Sequence, residues 1–464
     1  MKTANGLDPV RLDALAASMR PWQDEIIVAL GDLCAIPSLK GEPVVDAPFG
    51  AETSRALDVF LEIGRNLGFH AVNLDHYAGY VEMGSGDRLI AGLCHLDVVP
   101  AGDGWTTDPF QLTVDDGKLV GRGVSDDKGP AVAVLFAMKA LMDSGYQPIG
   151  RIRLIVGLDE ESGSACMEHY VKVADLPDAG FTADASFPVI YAEKGMCRVD
   201  LIVNYDQNPA DALRLTRASA GTRANVVPGR CSLSFTESSG RSFDVLVEGK
   251  PAHASTPWNG KNAISLAMAE ASSRLLAAGC SHPFVDFYRQ AIGLAWDGAD
   301  LNIAGSDESG PLTLNAGILQ LDEQSARVTL DIRYPVTWSF DMLAAKIEQR
   351  AATLGGAAVF SKPSLPLYQP KDAPLVTALT TIYEDLTGLD GAPVAIGGGT
   401  YARSMPNIVA FGPSFPGDEE TAHQAGEFVA LNRLLAASAI FREALIALDR
   451  LGTDAPKPGQ SDHA

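Results

Sequence analysis

The sequence has 464 residues, enough for two domains with separate hydrophobic cores, and its apolar (46%) and charged (20%) fractions are ordinary for a globular protein. Its formal net charge of −22 at pH 7 disfavours nucleic-acid and membrane partners, because an acidic surface repels phosphate groups. No uninterrupted apolar run is long enough to span a bilayer. The 6 cysteines are scattered without CxxC pairs, so we predict a cytoplasmic protein with reduced cysteines.

Helices and strands are predicted to alternate in the first part of the chain. Apolar residues recur at helical spacing from about Pro9 to Ala35, with a break near Pro21, which favours two short helices or one kinked helix. Residues 88–99, 151–158 and 178–184 are typical of buried strands, and residues 131–145 of a helix. This alternation indicates an α/β fold with an open, largely parallel sheet that helices cover on both faces.

The pattern changes after Gly195 to strands that alternate apolar and polar residues. From Arg241 the predicted order is strand–helix–strand–strand–helix–strand, which is the ferredoxin-like pattern. Near Pro370 the first pattern resumes and ends in a helix over residues 430–448. We therefore predict a discontinuous first domain over residues 1–195 and 372–450, an inserted α+β domain over residues 196–371, and a disordered tail over residues 451–464.

Histidine and acidic side chains follow the predicted strands. His95 and Asp97 end the strand at residues 88–99 and, at a period of two, face the same way. Glu160 and Glu161 follow the strand at residues 151–158, within a run of three acidic residues that repel one another unless a cation or solvent offsets their charge. In open α/β sheets ligands bind beyond the carboxyl ends of the strands. Taken singly, these motifs also fit polar strand ends or solvated loops.

Further candidates lie before a helix, at a third strand end and far along the chain. Asp126 and Asp127 precede the helix at residues 131–145, where one aspartate is also explained as a helix cap. Five side chains together form a nitrogen-and-oxygen ligand set that suits zinc: His95, Asp126, Glu161, Asp184 and His423. These are too many ligands for one tetrahedral ion, but they fit two ions that share one carboxylate.

Eight segments in order resemble one family over roughly residues 10 to 445. They are GLCHLDVVPAGDGW, LVGRGVSDDKGP, GLDEESGSACMEHY, FTADASFPVIYAEKG, VEGKPAHASTPW, DIRYP, GGGTYAR and FPGDEETAHQAGEF. The sequence thereby resembles the PepV-type dipeptidases, which belong to the co-catalytic zinc peptidases and deacylases. The resemblance implies a zinc-binding catalytic domain, an inserted lid domain and a short peptide substrate.

The resemblance also implies a role for each candidate in the first domain. His95 and Asp184 would hold one Zn²⁺, Glu161 and His423 the other, and Asp126 would bridge the two. Co²⁺ and Mn²⁺ suit the same ligands. Asp97 would orient His95, the Asp126-Asp127 peptide bond would be cis, and Glu160 would be the general base.

The remaining roles concern the substrate. By the resemblance, His253 would donate a hydrogen bond to the oxyanion and Arg333 would bind the substrate's C-terminal carboxylate through its planar guanidinium. Contacts from Asn225 and from the turn containing Gly399 and Thr400 are also expected. A strand-end salt bridge for Arg333 and a tight bend for the glycines are the structural alternatives.

The resemblance leaves substrate and oligomeric state open. Asp184, where other members carry glutamate, favours a dipeptidase over a carboxypeptidase. The alternatives are a deacylase of N-acyl amino acids or of a succinylated diamine, and a catalytically inactive metal-binding scaffold, which the presence of Glu160 and all five ligands disfavours. The long inserted domain favours a monomer over a homodimer, although its short stretch between Asn225 and His253 departs from the PepV-type pattern.

Overall fold

The computed structural model describes residues 8–452, so the predicted tail from residue 453 onward lies outside the described residues. The helices are α1 (Pro9–Met19), α2 (Gln23–Cys34), α3 (Ala51–Asn66), α4 (Lys128–Asp143), α5 (Ala165–Val173), α6 (Ala263–Ala277), α7 (Pro283–Ala291), α8 (Phe340–Thr353), α9 (Pro374–Thr387) and α10 (Leu431–Arg450). A 3-10 turn at Arg20–Trp22 separates α1 from α2, next to Pro21, where the sequence predicts a break.

The strands of the first part of the chain are β1 (His70–Leu74), β2 (Ala78–Gly84), β3 (Leu89–His95), β4 (Thr113–Asp115), β5 (Lys118–Val120), β6 (Arg151–Gly157), β7 (Ala179–Thr182), β8 (Ala185–Ser186) and β9 (Ile190–Glu193). Those of the middle part are β10 (Gly195–Asn204), β11 (Leu213–Ala220), β12 (Val226–Val227), β13 (Arg230–Glu237), β14 (Ser242–Glu248), β15 (Ala252–His253), β16 (Ser306–Asp307), β17 (Gly310–Pro311), β18 (Thr313–Leu321), β19 (Ser325–Tyr334), β20 (Ala357–Phe360) and β21 (Leu367–Tyr368). The last are β22 (Val394–Ile396), β23 (Ile408–Ala410), β24 (Pro413–Ser414) and β25 (Phe428–Ala430).

The chain divides into two units. The first comprises the described residues up to Tyr191, Gln369–Val394 and the described residues from Thr400 on, and the second comprises Ala192–Tyr368 and Ala395–Gly399. Among residues 8–452, no helix is both long and apolar enough to cross a membrane. The cysteines are free, and all but the half-buried Cys280 are buried.

The first unit is built on a mixed sheet with strand order β1-β2-β6-β3-β7-β23-β9. Its centre is parallel, since β3 pairs in parallel with both β6 and β7, and β23 pairs in parallel with β7. The hairpin β1–β2 and strand β9 add antiparallel edges that the sequence pattern does not predict. Every residue of β3 is buried, which explains its continuous apolar sequence. The predicted α/β class is confirmed.

The second unit has an antiparallel sheet in the order β14-β13-β11-β18-β19-β10-β20. One face of this sheet, together with α6, α7 and α8, forms a separate hydrophobic core that includes Leu201, Phe235, Met268, Tyr288 and Ile347. The strands show the predicted alternation, for example the strictly alternating exposure along β14. Helix α7 is an addition to the ferredoxin-like order that the sequence predicts.

Candidate metal centre

The carboxyl ends of three parallel strands bring three of the five candidate ligands to one edge of the sheet of the first unit. His95 is the last residue of β3 and lies in register with Gly157, the last residue of β6. The acidic segment around Glu161 follows β6 directly, and Asp184 follows β7. Parallel strands end at a common edge, so residues that are distant in sequence meet there.

Asp126 lies between the two histidines. Its Oδ1 atom is 3.0 Å from Nε2 of His95, and its Oδ2 atom is 2.9 Å from Nε2 of His423. His95 is fully buried, whereas the side chain of His423 is 51% exposed. His423 itself has a positive φ of 63°, which aims its ring from a tight turn. One carboxylate therefore offers an oxygen to each imidazole.

The remaining predicted ligands lie on opposite sides of this carboxylate. Oε1 of Glu161 is 3.0 Å from Nε2 of His423, and Oδ2 of Asp184 is 3.9 Å from Nε2 of His95. Ligand atoms of His95, Asp126 and Glu161 lie within 4.8 Å of one another, and so do those of His95, Glu160 and Asp184. The structure thus brings all five predicted ligands together, with Glu160 beside them.

The electrostatics of this cluster favour a bound cation. Burial raises the pKa of Asp184 well above 3.8, and the neighbouring carboxylates of Asp126 and Asp127 raise it further. Hydrogen bonds to Asp126 and Glu161 raise the pKa of His423 to about 10. Burial disfavours the charged ring of His95, but hydrogen bonds to Asp126 and Asp97 outweigh it and hold its pKa well above 6.5. The nearby carboxylates thus favour the protonated forms of Asp184, His95 and His423, and a divalent cation would replace those protons.

Asp97 connects the metal-binding candidates to the acidic segment. Nδ1 of His95 lies 3.0 Å from the backbone carbonyl oxygen of Asp97 and 3.5 Å from its Oδ1 atom. The carboxylate of Asp97 accepts the backbone N–H groups of Glu160 and Glu161, each at 3.1 Å. The backbone carbonyl of Asp97 thus orients the imidazole more closely than its carboxylate does, while the carboxylate fixes the segment that carries both glutamates.

Tyr401 and Gly157 pack next to the ring of His95. The ring of Tyr401 stands edge-on to that of His95, with centroids 5.8 Å apart. A Cβ atom at Gly157 would lie 1.7 Å from the Tyr401 hydroxyl, so only glycine fits at the end of β6. The Tyr401 hydroxyl lies 3.1 Å from Sγ of Cys166. Tyr401 belongs to the segment GGGTYAR, for which the sequence predicts only a substrate contact.

Glu427 is a buried residue at this centre that the sequence analysis missed. Its carboxylate accepts hydrogen bonds from Arg122 and from the backbone around Asp126.

The Asp126-Asp127 peptide bond is cis, as the resemblance implied. The side chain of Asp127 accepts the backbone N–H of His95 at 2.9 Å. The roles of Glu427 and Asp127 as acceptors of backbone N–H groups leave no spacing pattern in the sequence.

Four of the predicted substrate contacts lie in the second unit, and two of these, Asn225 and His253, are neighbours. β12 and β15 pair so that Val226 is opposite His253, and the N–H of Ala254 donates to the carbonyl of Asn225 at 3.0 Å. The exposed His253 ring is held by the Ser255 hydroxyl at 2.7 Å from Nδ1. The turn that leads to Gly399 approaches the same place, because Gly397 packs against Ser255.

Arg333 is buried and already paired. Its Nε atom donates to Oδ1 of Asp331 at 2.5 Å, and its Nη1 atom donates to the carbonyl of Gly397 at 2.8 Å. Arg333 therefore orders the glycine-rich turn. Thr400, which belongs to the first unit, caps the 3-10 turn at Tyr401–Ser404 by accepting the N–H of Ala402 at 3.3 Å.

Comparison with known proteins places this centre in a family context. The family model described as "Peptidase family M20/M25/M40" matches residues 93–447. The "Putative dipeptidase YtjP" of Bacillus subtilis is 36% identical over 428 residues, which cover 86% of this chain and 92% of that protein. A "Putative dipeptidase" of Staphylococcus epidermidis is 32% identical, with 92% and 97% covered. The family resemblance found in the motifs is confirmed.

Solved structures share the fold. Human carnosine dipeptidase 1 aligns with a TM-score of 0.60 at 18% identity, covering 95% of this chain and 99% of that one. The dipeptidase Dug1p of Saccharomyces cerevisiae aligns with a TM-score of 0.57 at 14% identity, covering 95% and 98%. At these identities the likeness concerns the fold.

Proposed function

Because the chain belongs to peptidase family M20/M25/M40, we propose that it is a metallo-dipeptidase that hydrolyses the peptide bond of dipeptides or very short peptides. The observation that carries the proposal is the position of Asp126, whose two oxygens lie 3.0 Å and 2.9 Å from the Nε2 atoms of His95 and His423. A carboxylate between two such donors suits a pair of neighbouring cations. The relatives named as putative dipeptidases support the substrate class.

The donor set fits two zinc ions. His95 and Asp184 would hold one ion and Glu161 and His423 the other, with Asp126 shared. The ligand atoms are imidazole nitrogens and carboxylate oxygens, which also suit Co²⁺ and Mn²⁺. The crowding of carboxylates that raises the pKa of Asp184 supports a cation at this position.

When bound, two such ions supply Lewis-acid chemistry by lowering the pKa of a water and polarising the scissile carbonyl. Glu160 acts as the general base and takes a proton from the attacking water. The water oxygen first bonds to the carbonyl carbon, whose C=O π electrons move to the oxygen to give a tetrahedral oxyanion. The C–O double bond then re-forms as the C–N bond breaks, and Glu160 passes the proton to the leaving amine. Each proton that Glu160 accepts is thereby returned to the product.

The environment of Glu160 supports this role. Burial raises its pKa to about 7, and the neighbouring carboxylates of Glu161, Asp126 and Asp97 add to the effect of burial while His95 opposes it. A base with a pKa near the working pH is suited to proton transfer in both directions. Its backbone N–H is fixed by Asp97, so the carboxylate projects from a held segment.

Five residues are proposed to contact the substrate, four of the second unit and Thr400 of the first. His253 donates a hydrogen bond to the oxyanion from Nε2, because its Nδ1 atom accepts the backbone N–H of Ser255 at 3.3 Å. Arg333 binds the substrate carboxylate with the one Nη2 N–H that Asp331, Gly397 and Met196 leave unused. Asn225, Gly399 and Thr400 contribute polar contacts. We also infer a cytoplasmic monomer, as the cysteine pattern and the long inserted domain favour.

A substrate panel tests the proposal. Metal-free protein is reloaded with Zn²⁺ and incubated with dipeptides, blocked dipeptides and N-acetyl amino acids. We expect cleavage of free dipeptides and none without metal. Turnover of only the acylated compounds would instead establish the alternative deacylase, and failure to turn over any compound while binding two ions would support the inactive scaffold.

A further inference from the structure

Glu427 binds the backbone of the segment that carries Asp126. One carboxylate oxygen, Oε1, accepts the N–H groups of Gly123, Ser125 and Asp126 at 3.1, 2.8 and 3.1 Å. The other oxygen, Oε2, accepts Nη1 of Arg122 at 2.5 Å. Glu427 is fully buried and Arg122 is 1% exposed, so water does not compete for these bonds. The segment from residue 122 to residue 126 is therefore folded around a single carboxylate.

The same residue ends the loop that carries His423. The Thr421 hydroxyl donates to the carbonyl of Phe428 at 3.0 Å and accepts the N–H of Phe428 at 3.1 Å. These two bonds close a short loop that contains both His423 and Glu427. On its far side the loop continues into β25, which pairs with β5 through Phe428 and Val120. The position of Glu427 is thus set by the loop that presents His423.

A charged acceptor is required by the number of donors. Three N–H groups and a guanidinium converge on Glu427, and a carboxylate accepts several bonds at once, each strengthened by its charge. A neutral residue would leave the buried Arg122 without its counter-charge. Removing the side chain would leave three backbone donors without an acceptor, which is costly at a buried site.

We infer that Glu427 is a positioning residue that fixes Asp126 relative to His423 and so sets the geometry of the pair of cation sites. This inference rests on the proposed function, because it presumes that Asp126 and His423 bind metal. Glu427 touches neither the substrate nor the ions. It lies in the loop that carries His423 and binds the backbone of the segment that carries Asp126. Mutation of residues that orient metal ligands in this way typically changes metal affinity roughly 10–100-fold.

The test is a Co²⁺ titration of the metal-free full-length protein, followed by visible d–d absorption. The variants are Glu427→Ala and the milder Glu427→Gln, which keeps one acceptor oxygen. The matched control is Asp449→Ala. Asp449 is also fully buried in the first unit, and it accepts the N–H groups of Ile149 and Gly150 and the Tyr146 hydroxyl, at 2.9, 3.3 and 2.8 Å.

We expect Co²⁺ affinity to fall roughly 10–100-fold in Glu427→Ala and roughly tenfold in Glu427→Gln, with an altered absorption band. Asp449→Ala should lower the melting temperature while its Co²⁺ titration matches that of the wild type. The inference is overturned if Glu427→Ala titrates like the wild type, or if Asp449→Ala weakens Co²⁺ binding equally. If Glu427→Ala does not fold, the inference is overturned when Glu427→Gln binds Co²⁺ with the same affinity and the same absorption band as the wild type. Failure of the wild type itself to bind Co²⁺ would refute the proposed function instead.

Discussion

The Nε2 atom of His423 lies 2.9 Å from Oδ2 of Asp126, although the two residues are far apart in the sequence. The second oxygen of the same carboxylate contacts His95, at the end of β3. Two imidazoles contact one carboxylate, and the carboxylates of Glu161 and Asp184 lie beside them. Such a dense cluster of titratable groups suits a site that binds a cation.

Metal affinity should rise with pH. In the metal-free protein the pKa of His423 is raised to about 10 and that of His95 well above 6.5, so both rings hold protons near neutral pH. A cation must displace these protons to reach the ring nitrogens, so its affinity increases about tenfold per pH unit for each proton released. Calorimetry of Co²⁺ binding in buffers of different ionisation enthalpy measures the release. An affinity that is flat between pH 6.5 and 8 contradicts the assignment of the histidines.

Glu160→Gln should separate proton transfer from metal binding. The amide cannot accept the proton of water, so kcat should fall roughly 10²–10⁴-fold while two ions remain bound. Atoms of Glu160 also lie within 4.8 Å of ligand atoms of His95 and Asp184, so a ligand role is the competing explanation. Metal content distinguishes the two, because loss of an ion from this variant would show that Glu160 is a ligand.

His253→Ala should lower turnover and leave the metal centre intact. Removal of one oxyanion donor costs roughly 10²–10³-fold in kcat. His76→Ala is the control, since His76 pairs with Asp58 at 3.2 Å and has no role in the proposal. Unchanged kcat in His253→Ala, or an equal loss in His76→Ala, would remove His253 from the mechanism.

Acid should destabilise the protein through His282. This ring is 2% exposed, neither nitrogen has a hydrogen-bond partner among residues 8–452, and burial lowers its pKa from 6.5 to about 4. The unfolded chain therefore binds a proton that the folded chain does not, and stability falls as the pH drops from about 6.5 towards 4. Between pH 7 and 5 this amounts to about 2 kcal/mol. Urea unfolding should show the loss in the wild type and a smaller one in His282→Phe, and equal losses would exclude His282 as the cause.

Four of the proposed metal ligands could be predicted because they follow an apolar strand or precede a helix. Residues 88–99 and 151–158 are so uniformly apolar that His95 and Glu161 stand out at their ends, and strand ends of a parallel sheet converge. His423 gave no such signal on its own, and only its motif pointed to the site. The antiparallel hairpin β1–β2 was not predicted, because its strands are half-buried and Gly79 interrupts the second.

Glu427 and the carboxylate of Asp97 show what the sequence pattern could not reveal. Both act by accepting backbone N–H groups, which every residue other than proline supplies, so no residue type marks the partner. For Glu427 the only available signal was an acidic residue directly before the apolar start of a strand. The pairing of Arg333 with Asp331 was foreseeable, since residues two apart on β19 face the same way.

The most direct test of a two-ion dipeptidase centre is a Zn²⁺ titration of metal-free protein in which dipeptide cleavage and bound metal are followed together. We expect dipeptide cleavage to be absent without metal and to rise to a plateau at two ions per chain. Full cleavage by the stripped protein, or binding that saturates at two ions with no cleavage of any dipeptide, would contradict this expectation.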